Sequence, residues 1–399
     1  MVELLAHSPL ALFIVQAVLI IGVARGLGLL ARLGGQPMVI AEVAAGIMLG
    51  PSLLGWLWPA AKAAVFPKES LGLLQMFSQV GLVLFMFLIG LELDPKVLRG
   101  RGRAALLISQ AGIVVPFAMG ALLAFVLRAT LREAGVPLGS FMMFMGTSMC
   151  ITAFPVLARI LSERRMMQTK VGAIAITSAA IGDVTAWCLL AFVVSTVTAR
   201  GLNRALQTVG LTALYIALMF VAVRPFMRRF GALASSREGL TQDVVAGTFL
   251  LLLGSSWATE VIGIHALFGA FVLGVIIPRE GGFATLLTDK LEDFVVVFLL
   301  PMFFAYSGLR TQIGLLDSQQ AWVLCGVIIA VACAGKFGGS LIAARLCRLS
   351  WRESATIGVL MNARGLMELI VLNIGLDLGV ISPTLFTMLV LMALATTLV

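Results

Sequence analysis

Charge is scarce in this chain of 399 residues: Asp, Glu, Lys and Arg together make 12%, about half the ~25% usual in soluble domains. Histidine is nearly absent, with two residues, too few for the usual zinc sites. The five cysteines, at 150, 188, 325, 333 and 347, fall in apolar stretches with no C-x-x-C spacing, and they read as small buried hydrophobes. The sequence has no H-E-x-x-H, no G-x-S-x-G and no Walker pattern. Its G-L-G at 26–28 lies within an apolar helix and follows no strand, so it is no dinucleotide loop. These absences exclude a soluble globular protein, a disordered chain, a disulfide-rich secreted domain and a nucleic-acid binder. They also leave an enzyme without a nucleophile, a metal centre or a second catalytic carboxylate.

What fills the chain is apolar: 60% hydrophobic residues, 41 glycines and a mean hydropathy of +1.08. The pattern predicts an all-α polytopic membrane protein of about thirteen transmembrane helices. They fall roughly at 9–31, 38–56, 70–92, 103–128, 138–161, 169–198, 204–227, 241–259, 263–278, 290–309, 319–346, 352–375 and 382–399. The first run follows Pro9 without a basic leader and is long enough to span, so no cleavable signal is expected. Short loops leave no soluble domain, and the last run stops at Val399 with no tail.

The net charge of +9 sorts onto alternate loops. Eighteen basic residues, from Arg32 to Arg352, fall on one set; seven, Lys62, Lys68, Arg128, Arg132, Arg200, Arg204 and Arg310, on the other. Arg25, Lys336 and Arg364 lie inside spans. The richer set is cytoplasmic by the positive-inside rule, which puts the N-terminus outside and the C-terminus inside.

The chain also repeats itself. AEVAAGIMLGP (41–51) echoes HALFGAFVLG (265–274), and LFMFLIGLELD (84–94) echoes PMFFAYSGLRTQ (301–312), each seven helices apart. One transmembrane domain, 1–399, then divides into repeat 1 (about 9–198), a linking helix (about 204–227) and an inverted repeat 2 (about 241–399). Inverted repeats support outward-open and inward-open states of a transporter.

Polar residues inside spans are functional candidates by default. Asp183, mid-span in TSAAIGDVTAWCLLAF (177–192) with no cation near it in sequence, can hold either a proton or a metal cation, which is what cation/proton exchange requires. In the fifth span Pro155 breaks the helix, with Thr147, Ser148 and Thr152 offering hydroxyls. Its counterpart in the twelfth carries Asn362, Arg364, Gly365 and Glu368; Arg364 and Glu368, four apart, pair on one face. Broken helices at matching repeat positions point to the binding site, which draws in Ser178 one turn and a residue before Asp183. Lys336, the one mid-span lysine, needs a buried partner or a shifted pKa. Glu42 is a candidate for a cation-attracting funnel. His265 reads as a bonded packing residue, and Gly22/Gly26, Gly46/Gly50 and Gly335/Gly339 as close helix contacts.

Several stretches together carry a family likeness: QPMVIAEVAAGIMLGPSLLG (36–55), FMFLIGLELD (85–94), TAFPVLARIL (152–161), GIHALFGAFVLG (263–274) and MNARGLMELIVLNIGLDLGVIS (361–382). The chain resembles the monovalent cation/proton antiporter superfamily of Kef-, NapA- and plant CHX-type exchangers. That resemblance implies an NhaA-like fold of inverted repeats with two crossed, broken helices. It also implies a homodimer in the lipid bilayer of the cell (inner) membrane, exchanging Na+ or K+ for H+ by alternating access, with no cofactor beyond those ions. By the same likeness Asp183 is the ion-binding aspartate and Lys336 the core lysine. Thr152 and Pro155 mark the first break, Asn362 and Arg364 the second. The family usually carries Asp, Asn or Gln before the aspartate; here that position is Gly182. A gated potassium efflux channel is the rival reading, using the same polar core without obligatory counter-transport.

Overall fold

The structure, a computed structural model, describes residues 8–34, 36, 38–92, 102–152, 154, 157, 160–161, 164–166, 169–198, 202–235, 241–279 and 282–398. Among these residues it is all helix, without a strand. The first helices are α1 (Pro9–Leu33), α2 (Met38–Leu49), α3 (Leu71–Glu92), α4 (Gly102–Val126), α5 (Leu138–Cys150) and α6 (Lys170–Thr198). They are followed by α7 (Leu202–Leu218), α8 (Arg224–Ser235), α9 (Gln242–Ile262), α10 (Ala266–Ile276), α11 (Phe283–Phe294) and α12 (Leu300–Leu309). The last are α13 (Gln319–Leu346), α14 (Trp351–Met361), α15 (Leu366–Asp377) and α16 (Pro383–Leu398). One wide π turn, Met219–Val223, joins α7 to α8, and another, Val295–Leu299, joins α11 to α12.

Nine helices among the described residues are long and apolar enough to cross a membrane. The expected fifth, ninth, twelfth and thirteenth spans hold shorter pieces instead, and three of these shortenings have a local cause. α5 stops because Ile151 is extended (ψ 139°). α10 opens on His265, whose φ of 76° breaks the chain from α9, and closes at Ile277, extended ahead of Pro278. The twelfth span is interrupted at Asn362–Gly365, between α14 and α15. The tenth begins at Phe283 rather than 290, because the whole amphipathic FATLLTDKLEDF segment is helical as α11.

Two compact units result, each taking helices from both sequence repeats. One is Met1–Ser70, Lys96–Leu190 and Phe304–Val399; the other is Leu71–Pro95 and Ala191–Phe303. In the first, α4 lies against α5 and α13, α13 against α14 and α16, and α1 against α2. There α2 crosses the 304–309 portion of α12 backbone to backbone: a Cβ on Gly308 would stand 2.5 Å from the Val43 carbonyl oxygen, and one on Gly46 would overlap Ala305. In the second unit α3 crosses α10 in the same way at Gly90 and Gly274. Small residues permit such close approach where lipid supplies no hydrophobic drive between helices. Gly335 and Gly339 likewise seat α13 on α4, whereas Gly22 and Gly26 meet nothing within 4 Å, contrary to expectation.

Candidate functional site

The site lies within the first unit, where the two breaks meet. Because α5 ends at Cys150, its last carbonyls have no intrahelical partner and carry the negative end of the helix dipole. Two cations answer them. Arg364, at the second break, donates from Nη1 to the Ser148 carbonyl (3.0 Å) and from Nη2 to the Met149 carbonyl (2.8 Å). Lys336 Nζ, from the middle of α13, donates to the Cys150 carbonyl and to the Gly112 carbonyl on α4 (2.9 Å). Both side chains are fully buried. Lys336 therefore has its buried partners in backbone oxygens. The sequence pattern pointed to no particular acceptor, since carbonyls leave no residue-type signal.

Arg364 also pairs with Glu368 at 3.1 Å, one turn on, with neither side chain exposed. The Arg364 carbonyl, freed by the break, accepts from Thr397 Oγ1 on α16 at 2.8 Å. Nothing in the sequence singled out Thr397. Asn362 caps α14 and directs its Nδ2 to the Cys333 sulfur at 3.7 Å, leaving Oδ1 buried without a partner.

Asp183 forms no ion pair within 4 Å with either cation among the described residues, although Lys336 is near enough to act on it. It is 3% exposed, and neither carboxylate oxygen makes a hydrogen bond among the described residues. The polar groups that act on it are the Phe154 backbone amide and Lys336. It faces a cavity of about 10 Å³ bounded by Ile151 from the first break, Met367 and Val371 from α15, and Ala186, Trp187 and Leu190 from its own helix. That is about the room a single water needs.

Thr152 is buried in the first break beside Ile151, and Ser178 is buried on α6 with its hydroxyl unpartnered. Pro155 lies outside the described residues. Thr147 and Ser148 do not present their hydroxyls to the break. Each bonds back to its own helix, at the Met143 and Met145 carbonyls, at 2.7 and 2.9 Å. Glu42 is buried on α2, which packs against α1 and crosses α12. His265 is hydrogen-bonded, as expected: it starts α10, and its Nδ1 accepts from the Leu267 amide.

Two interrupted helices, with buried cations on the freed carbonyls and a lone carboxylate beside the breaks, define an ion-transporter core among polytopic membrane proteins. The chain belongs to the sodium/hydrogen exchanger family, whose transmembrane model matches residues 17–399. It is 41% identical to the Na(+)/H(+) antiporter NhaS4 of Synechocystis over 98% of this chain and 96% of that protein. It is 44% identical to Cation/H(+) antiporter 18 of Arabidopsis thaliana and 33% to K(+)/H(+) antiporter 1 of Saccharomyces cerevisiae, and spans about half the length of each (48% and 46%). Among solved structures it matches the sodium proton antiporter MjNhaP1 of Methanocaldococcus jannaschii. The TM-score is 0.64 at 14% identity, over 98% of this chain and 95% of that one, a likeness of fold.

Proposed function

We propose that the chain is a secondary antiporter that exchanges a monovalent cation for H+, with Asp183 as the shared site. One observation carries the reading: a buried carboxylate with both oxygens unengaged, facing a cavity between the two broken helices. Such a group takes either a proton or a cation, and occupancy by one excludes the other. In this reading the ligands beside Asp183 are oxygens, drawn from Thr152 next to Ile151 and from Ser178 earlier on α6, which suit a hard cation. One carboxylate balances one positive charge, so the cargo is Na+ or K+ rather than a divalent ion. The named activities of the Synechocystis, Arabidopsis and yeast relatives support the same reading.

Lys336 and Arg364 hold the end of α5 so that Thr152 and the carbonyls beside it stay near Asp183. The protein works as a homodimer in the cell membrane, with its N-terminus outside, and alternates access between the two sides. The test is proton movement in proteoliposomes driven by Na+, K+ or Li+ gradients. Exchange that is lost in Asp183→Asn, with folding retained, supports the assignment; wild-type exchange by that variant overturns it. Cation flux without proton coupling would mark a channel instead.

A further inference from the structure

The end of α1 carries two charges that no acidic side chain among the described residues answers: Arg25 and Arg32. Arg32 is exposed in the last turn, whereas Arg25 is half-buried, about 12 Å before the end of the helix at Leu33. At that depth in a membrane helix a bare cation is costly and calls for a counter-charge. Lys336, Arg364 and Arg310 have their partners, on carbonyl oxygens, on Glu368 and on Asp377. Arg25 and Arg32 have a cavity.

That cavity, of about 140 Å³, is lined by Arg25, Gly28, Leu29 and Arg32 from α1 and by Met38 from the start of α2. Residues 25, 28 and 32 follow one another at spacings of three and four, so they share one face of the helix. Met38 packs directly onto Gly28, where a Cβ would stand 2.3 Å from the Met38 sulfur. This tight contact closes one wall, and the open volume beside it is about ten times what a single water needs. No acidic side chain among the described residues lines it. Leu29, Leu30 and Leu33 are all exposed at its rim. The site is therefore cationic within and apolar at its edge.

We propose that Arg25 and Arg32 bind the phosphate of an anionic phospholipid in the cavity between α1 and α2, with its acyl chains lying along Leu29, Leu30 and Leu33. Arginine suits the group, because its planar fork donates paired bonds to phosphate oxygens. A soluble anion would make no use of the apolar rim, which acyl chains cover. Two positive charges without a carboxylate leave nothing for the ammonium of a zwitterionic headgroup to meet, so a lipid of net negative charge is preferred. The position agrees. Arg32 ends α1 on the basic-rich set of loops, the side that the positive-inside rule turns toward the anionic leaflet.

Native mass spectrometry of the detergent-purified protein tests this, with phosphatidylglycerol, phosphatidylcholine and inorganic phosphate as probes. Wild type should take up phosphatidylglycerol at one tight site per chain and show no such site for phosphatidylcholine. At about 1 kcal/mol per basic residue, Arg25→Gln/Arg32→Gln should weaken the phosphatidylglycerol Kd about thirtyfold. Arg228→Gln/Arg229→Gln removes the same charge from exposed positions on α8 and should leave that Kd within about twofold. Equal losses in the two variants would show diffuse attraction to basic surface and overturn the site, as would equal binding of the two lipids. Phosphate that displaces the lipid at matched concentration would make this a site for soluble anions and overturn the lipid assignment. Should the Arg25 change prevent folding, Arg32→Gln alone, at an exposed position, carries the comparison: about a fivefold loss is expected, and an unchanged Kd overturns the proposal. None of these readouts depends on exchange at Asp183.

Discussion

Removing either member of the Arg364–Glu368 pair leaves a different debt. Arg364→Met strands the Glu368 carboxylate with no cation in contact, and breaking a buried pair in this way costs about 3–5 kcal/mol. It also strips charged donors from the Ser148 and Met149 carbonyls at the end of α5. Glu368→Gln is milder. The amide oxygen can still accept from Nη1, and the guanidinium keeps the two α5 carbonyls and the field of that helix end. The loss is one charge-assisted bond weakened to a neutral one, ~1–2 kcal/mol. A domain of 150–250 residues loses about 2–4 °C per kcal/mol, and a chain of this length roughly half that. Arg364→Met should then lower the melting temperature about 6 °C and Glu368→Gln about 2 °C, read by fluorescence-detected size exclusion on heating. The double change to Met at both positions should recover part of the Arg364→Met loss. Equal losses for the two single variants, or strict additivity in the double, would refute the unequal roles assigned to the pair.

Three further outcomes follow from the geometry. Thr152→Val removes a hydroxyl beside the first break and should raise the apparent cation KM severalfold in transport assays; an unchanged KM and selectivity would reduce Thr152 to packing. Gly308→Ala places a Cβ 2.5 Å from the Val43 oxygen, so it should shift the α2/α12 crossing and lower thermal stability by more than Gly22→Ala, whose site is open. With Gly182 in front of Asp183, exchange should be one H+ for one cation and electroneutral, and valinomycin–K+ clamping should not change its rate. A transport current on a solid-supported membrane would defeat that stoichiometry.

The helices were legible because a membrane span is written in composition: most observed bounds fall within two residues of the apolar runs. Where they differ, the physics is not one of hydropathy. The FATLLTDKLEDF segment that forms α11 is helical through its amphipathic pattern, and α10 is cut at His265 by a backbone angle that no apolar pattern encodes. Asp183, Lys336, Arg364 and Glu368 stood out because charge in a span is costly and therefore rare. Their acceptors did not stand out. Four of the oxygens that hold Lys336 and Arg364, those of Gly112, Ser148, Met149 and Cys150, are backbone atoms, which are the same for every residue type.

The placement of the two buried cations bears on why a lone carboxylate suffices. A lysine directly paired to Asp183 would compete with the transported ion for the same charge, and the cation would have to displace it at every turnover. Here the positive charge of Lys336 is met by the Gly112 and Cys150 carbonyls, and that of Arg364 by Glu368 together with the end of α5. Both cations are thus spent on backbone that the helix breaks left unsatisfied, a need that persists whichever ion is bound. In the proposed exchange, the Asp183 oxygens, which have no hydrogen-bond partner among the described residues, are left for the cargo. On the proposed reading the breaks serve two ends at once: they free carbonyls that can face an ion, and they create the negative helix terminus that holds the two fixed cations by backbone oxygens.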